Sequence, residues 1–70
     1  MNKDFRESFS KILMTKFLEK NITQKRLSDL TGISQSNIYN YLHGLCMPKR
    51  DAIDKMAEVL DTNFDELMDF

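Results

Sequence analysis

Four neutral side chains that can form hydrogen bonds lie within a six-residue stretch near the middle of the chain. They are Gln35, Ser36, Asn37 and Asn40, and the stretch contains no Glu or Lys, although those residues form helices better than Asn does. The side-chain amides of Gln and Asn can donate to and accept from adenine in the major groove of DNA. We interpret this stretch as a surface for reading bases; the alternative is an ordinary solvated helix face.

The stretch from 23 to 44 predicts two short helices joined by a tight turn. Thr23 and Ser34 are both residue types that cap helix N-termini. Gly32 and Gly44 follow the two segments, where glycine can take the left-handed conformation that ends a helix. Two such helices form a helix-turn-helix, whose second helix can enter the major groove.

The apolar residues of this motif predict which faces are buried. In the first helix, which we expect to end at about Leu30, Leu27 and Leu30 should face inward. The second helix should span about 34 to 43, and its inward residues should be Ile38, Tyr41 and Leu42.

The rest of the chain predicts three more helices and no strand. Residues 4–20 repeat apolar side chains with the period of an amphipathic helix, and Asn21 follows as a helix-ending residue. The expected apolar stripe of this helix is Phe5, Phe9, Ile12, Leu13 and Phe17, widened by Met14 and Leu18. Pro48 precedes a fourth helix with the stripe Ala52, Ile53, Met56, Ala57 and Leu60. A last short helix should begin at Asn63, with Glu66 completing a capping box and Phe64, Leu67 and Met68 facing the core.

Length and charge limit the range of functions. Seventy residues allow one small domain, residues 1–70, whose modest core would benefit from oligomerisation. Residues 1–50 carry nine basic and four acidic side chains, a balance of +5, whereas residues 51–70 carry one and seven, a balance of −6. This asymmetry is compatible with one basic face for a nucleic acid, and equally with two solvated surfaces of opposite sign.

The sequence offers no combination of residues for catalysis or metal binding. It has one histidine and one cysteine, so neither a metal-ligand cluster nor an intrachain disulfide is expected. A glycine-rich phosphate loop and a pair of carboxylates in a cleft are also missing, so we expect no enzyme, no cofactor and no small-molecule ligand. Without a signal peptide or an apolar run of membrane-spanning length, a cytoplasmic protein is expected.

The ordered set of these features resembles the lambda-repressor-like helix-turn-helix family, also called the Cro or xenobiotic-response-element type. The resemblance runs from about Ile12 to Met68, nearly the whole chain. The matching positions are Gln24, Leu27, Gly32, Ile33, Ser34, Ile38, Gly44, Pro48, Ala57, Leu60 and Leu67. The resemblance implies an all-α, compact five-helix domain whose third helix enters the major groove of double-stranded DNA.

The resemblance also assigns candidate contacts to individual residues. It places Gln24 on a phosphate and beside Gln35, and it places further phosphate contacts in the loop from 43 to 50. The candidates for base readout are Gln35, Ser36, Asn37 and Asn40, with Asn37 equally able to be an ordinary exposed residue. The candidates for phosphate binding are Gln24, Ser34, Tyr39, His43, Lys49 and Arg50.

The chain departs from the family pattern at several positions. Ser28 replaces an alanine that usually permits close helix packing, and Asp61 stands where a helix-ending glycine is common. Phe17 and Leu42 occupy the positions of an Arg–Glu pair found in many relatives, which predicts an apolar contact instead. The loop after the third helix is also poorer in basic residues, so dimerisation would have to supply part of the affinity for DNA.

We therefore predict a sequence-specific DNA-binding transcriptional regulator, repressor-like, that acts as a homodimer on a pseudo-palindromic operator. The terminal helix is the first candidate for the dimer contact. The alternative is a protein-interaction module of the same fold, similar to an anti-repressor or an antitoxin, without specific DNA readout.

Overall fold

The computed structural model describes residues 5–70, which form five α-helices and no strand. The helices are α1 (Phe5–Lys20), α2 (Gln24–Thr31), α3 (Gln35–Leu42), α4 (Arg50–Val59) and α5 (Phe64–Leu67). The prediction of an all-α, five-helix fold is confirmed, and each helix lies where the sequence placed it. None of the helices within residues 5–70 is long and apolar enough to span a membrane.

The core is one apolar cluster to which every helix contributes. Its largest fully buried side chains are Phe9, Leu13, Leu27, Ile38, Met56, Leu60 and Leu67. Phe17 and Leu42 belong to the same cluster, so the positions of the family's Arg–Glu pair are apolar and buried here. Helix α3 packs against α1 and α2, whereas α5 packs against α1 and α4. This arrangement places α3 and α5 on different sides of the domain.

Four residues expected to face inward are exposed instead. Leu30 is 48% exposed, although it lies one turn after the fully buried Leu27. Met14 and Leu18 are 40% and 75% exposed, since each lies about 100° around α1 from a buried neighbour and no helix covers that flank. Phe5, at the first turn of α1, is also exposed. The apolar pattern thus identified the helices but overestimated the width of their buried faces.

The junctions after α1 and α4 have the same geometry. Asn21 and Asp61 both adopt left-handed backbone, with φ of 53° and 58°. After α4, the N–H of Thr62 donates to the carbonyl of Ala57 at 2.9 Å, the closing bond of a Schellman motif. Asp61 therefore performs the helix-ending role of the glycine it replaces, and its carboxylate also accepts from Lys20 at 3.3 Å.

The expected capping box at α5 is only half formed. The Asn63 side chain accepts a hydrogen bond from the N–H of Glu66 at 2.8 Å, as predicted. The Glu66 carboxylate does not return to the N–H of Asn63, because it accepts from the hydroxyl of Thr62 instead. The neighbouring threonine therefore replaces the reciprocal half of the box.

Replacing Gly32 by Ala should destabilise the fold through backbone strain alone. Gly32 has φ of +80°, and an added Cβ would meet no atom within 4 Å. Because the left-handed conformation is unfavourable for residues with a Cβ, we expect a loss of about 1–2 kcal/mol in the free energy of unfolding, measured by urea denaturation. Gly32→Asn is the matched control and should lose less, since Asn tolerates this conformation. An alanine variant as stable as the wild type would contradict the strain argument.

Candidate nucleic-acid interface

Local hydrogen bonds set both ends of helix α3. The hydroxyl of Ser34 accepts from the N–H of Asn37 at 3.1 Å, and its carbonyl accepts from the N–H of Ile38 at 3.1 Å. At the other end, His43 is the C-cap, and the N–H of Leu45 closes the last turn on the carbonyl of Asn40 at 2.9 Å. The predicted boundaries of this helix, about 34 to 43, match the observed helix with its two caps.

The two faces of α3 differ as the sequence predicted. Its inner residues Ile38, Tyr41 and Leu42 are all buried. The candidates for base readout lie on the outer face: Gln35, Ser36 and Asn37 are exposed and Asn40 is half-buried. Within residues 5–70, the side chains of these four residues form no hydrogen bond with the protein. Their donors and acceptors are therefore available to an external partner.

Gln24 and Ser34 flank this face from the starts of α2 and α3. Gln24 is half-buried and is the first residue of α2, directly after the N-cap residue Thr23. No hydrogen bond joins Gln24 to Gln35 among the described residues. The contact between these two side chains implied by the family resemblance is thus not formed in the unbound chain and stays a prediction for the complex.

Tyr39 and His43 form a pair that the sequence reasoning treated as separate residues. Their ring centroids lie 4.0 Å apart with an interplanar angle of 30°, and both side chains are exposed. The spacing of one helical turn could have identified this contact. Because stacking restricts both rings, the tyrosine hydroxyl and the imidazole are presented together at the end of α3.

The two basic candidates at the start of α4 have different surroundings. Lys49 is exposed and forms no ion pair among the described residues. In contrast, the Nε–H of Arg50 lies 3.2 Å from both carboxylate oxygens of Asp54, and its guanidinium carbon lies 3.7 Å from the centre of the Phe64 ring. The contacts of Arg50 with Asp54 and Phe64 were not predicted from the sequence, although the i, i+4 spacing of Arg50 and Asp54 is a signal for the ion pair.

An open cavity of about 370 Å³ separates the start of α3 from α4. Its lining includes Asn37, Tyr41, Cys46, Lys49 and Lys55. Burial raises the pKa of Tyr41 above its ordinary value, and the nearby Cys46 raises it further, so the phenol stays neutral at physiological pH. Two lysines and one carboxylate, that of Asp51, are the charged groups in the lining of this cavity.

The comparison with protein families decides the class of this chain. A family model described as helix-turn-helix, the lambda-repressor and Cro type, matches residues 13–67. The chain belongs to this family. Members of the lambda-repressor and Cro type are DNA-binding regulatory domains, so the chain is a DNA-binding helix-turn-helix regulator. In comparisons of the whole chain, no curated protein and no solved structure matches it significantly.

Replacing Ser34 by Ala should destabilise the domain, because the N-cap of α3 would lose its hydrogen bond to Asn37. We expect a loss of about 1 kcal/mol in the free energy of unfolding, measured by urea denaturation without DNA. Ser36→Ala is the matched control: Ser36 is exposed and its side chain has no partner among residues 5–70, so its stability should change by less than about 0.5 kcal/mol. Equal effects of the two substitutions would contradict this role of Ser34.

Proposed function

We propose that this protein is a sequence-specific transcriptional regulator, repressor-like, that acts by occupying operator DNA. The observation that supports the proposal is the outer face of α3. It carries amides and hydroxyls without hydrogen-bond partners among residues 5–70, on a helix whose two ends and inner face are fixed by the domain. A rigid helix with available amides suits the major groove, where each base pair presents a distinct pattern of donors and acceptors.

In this proposal, the first turn of α3 reads bases and the next turn extends the contact. Gln35 and Ser36 approach the base edges first, because they begin the helix and both are exposed. Asn40 lies one turn beyond Ser36 on the same face, and Asn37 lies at its border. Amides at these positions favour sites with adenine at defined positions, since an amide can both donate to the adenine N7 and accept from the adenine amino group.

The phosphate contacts of the proposal surround this face and hold the helix in register. Contacts with the phosphate backbone of DNA position a protein on the duplex without reading its sequence. The residues proposed for them are Gln24, Ser34, Tyr39, His43, Lys49 and Arg50. Of these, Lys49 offers an exposed charge without a carboxylate partner among the described residues, whereas Tyr39 and His43 offer a stacked pair of polar rings.

We propose a homodimer as the functional form, because of the two basic candidates for phosphate contact, Lys49 and Arg50, only Lys49 has no carboxylate partner among residues 5–70. Two copies on a two-fold site would place their α3 helices in successive major grooves, about 34 Å apart. The terminal helix itself offers less apolar surface than expected for a dimer contact, since Leu67 is fully buried. The apolar surface there is Phe5 and Phe70 instead, whose exposed rings lie 5.8 Å apart. The same surface would serve the alternative function, a protein-interaction module.

Selection from random-sequence DNA duplexes at low salt tests the function directly. A regulator of this kind should recover a two-fold motif with conserved bases in each half-site. Recovery of no motif at any salt concentration would contradict specific readout and favour the interaction module. The selected duplex then provides the ligand for measurements on variants.

Gln35→Ala should weaken binding to the selected operator by about 1–3 kcal/mol and relax the preference at one base position per half-site, because one bidentate contact is lost. Competition among operator variants measures the preference. Lys49→Ala is the control: it should weaken binding to all sequences alike and reduce the salt slope by about one unit, since it removes a phosphate contact. If Gln35→Ala leaves the ranking of operators unchanged, Gln35 does not read a base.

A further inference from the structure

Arg50 is the residue whose surroundings differ most from the role that its position suggests. It is the first residue of α4, directly after the exposed Lys49, where a cation could reach a phosphate. Its guanidinium instead lies over the ring of Phe64, the first residue of α5. The charged group of Arg50 therefore contacts α5, a helix that packs on α1 and α4 and not on α3.

The recess that receives this guanidinium is acidic. Asp54 accepts from the Nε–H of Arg50 with both of its carboxylate oxygens at 3.2 Å. Glu58 and Asp65 line the same recess. A phosphate that approached Arg50 in this position would meet the carboxylate of Asp54 beside the guanidinium and two further carboxylates in the same recess, so attraction would be offset by repulsion. The positive charge of Arg50 is therefore opposed by carboxylates in this conformation.

We propose that Asp54 and Phe64 withhold Arg50 from DNA, so that Asp54 lowers the affinity and the salt dependence of this interface. This inference rests on the proposed DNA-binding function and concerns the strength of binding, not the choice of sequence. The ion pair and the ring contact are both solvent-exposed and individually weak. Arg50 could reach a phosphate only by giving up both contacts. In the wild type it keeps them, so of the phosphate contacts proposed above the one from Arg50 is not made.

Asp54→Asn is the variant that tests the proposal, with binding to a mixed-sequence duplex measured over a series of salt concentrations. Loss of the carboxylate charge releases Arg50 to one further phosphate per copy. The expected result is binding that is roughly threefold to tenfold tighter at low salt, with a salt slope steeper by about 0.9 per copy, the contribution of one phosphate contact.

Glu58→Gln is the matched control, because it removes the same charge from the same helix and the same recess. Glu58 forms no ion pair among the described residues, so its removal should leave the salt slope unchanged. A second control repeats Asp54→Asn in an Arg50→Gln background. There the gain should disappear, since the two residues act through one interaction.

The unbound protein provides a readout that does not depend on DNA. The Nε–H resonance of Arg50 should exchange with water faster in Asp54→Asn than in the wild type, because its acceptor has been weakened. Fold retention of each variant is checked by circular dichroism in the same samples.

Each other outcome would overturn the inference. Equal effects of Asp54→Asn and Glu58→Gln would mean that Asp54 acts only as part of the general surface charge. A gain in affinity that persists in the Arg50→Gln background would show that Arg50 is not its cause. Weaker binding by Asp54→Asn would mean that Asp54 positions Arg50 for DNA. If the wild type binds no duplex at any salt concentration, the proposed function fails together with this inference, whereas wild-type binding without an Asp54 effect overturns the inference alone.

Discussion

The interface depends on burial of the inner face of α3. Ile38, Tyr41 and Leu42 are removed from water against α1 and α2, and this burial holds an eight-residue helix that is too short to be stable alone in water. Its outer face can therefore contain weak helix formers such as Asn37 and Asn40. The residues that suit DNA are therefore tolerated because the opposite face supplies the stability.

Capping hydrogen bonds at the helix starts add to the stabilisation that burial of the inner face provides. Each helix of the motif starts at a side-chain cap, Thr23 for α2 and Ser34 for α3, and Gly32 turns the chain between them in left-handed backbone. These local bonds determine where α3 begins, and thereby which residues occupy its first turn.

Electrostatics limits the interface more than geometry does. The basic half of the chain contains the motif, but several of its cations have carboxylate neighbours: Lys25 pairs with Asp29 and Arg50 with Asp54. Such exposed pairs add little to stability, yet each lowers the charge presented to a phosphate backbone. The described residues thus offer more neutral hydrogen-bonding groups on the outer face of α3 than unpaired cations beside it.

The sequence by itself determined the helices, their caps and the faces that carry their buried and polar residues, because helical period and capping chemistry are local properties. It identified the outer face of α3 for the same reason. Only the tertiary structure decided which apolar residues are covered, as the exposure of Leu18 and Leu30 shows, since covering needs a neighbouring helix. It also decided that Arg50 lies over Phe64, because that contact joins two helices whose relative placement no local pattern encodes.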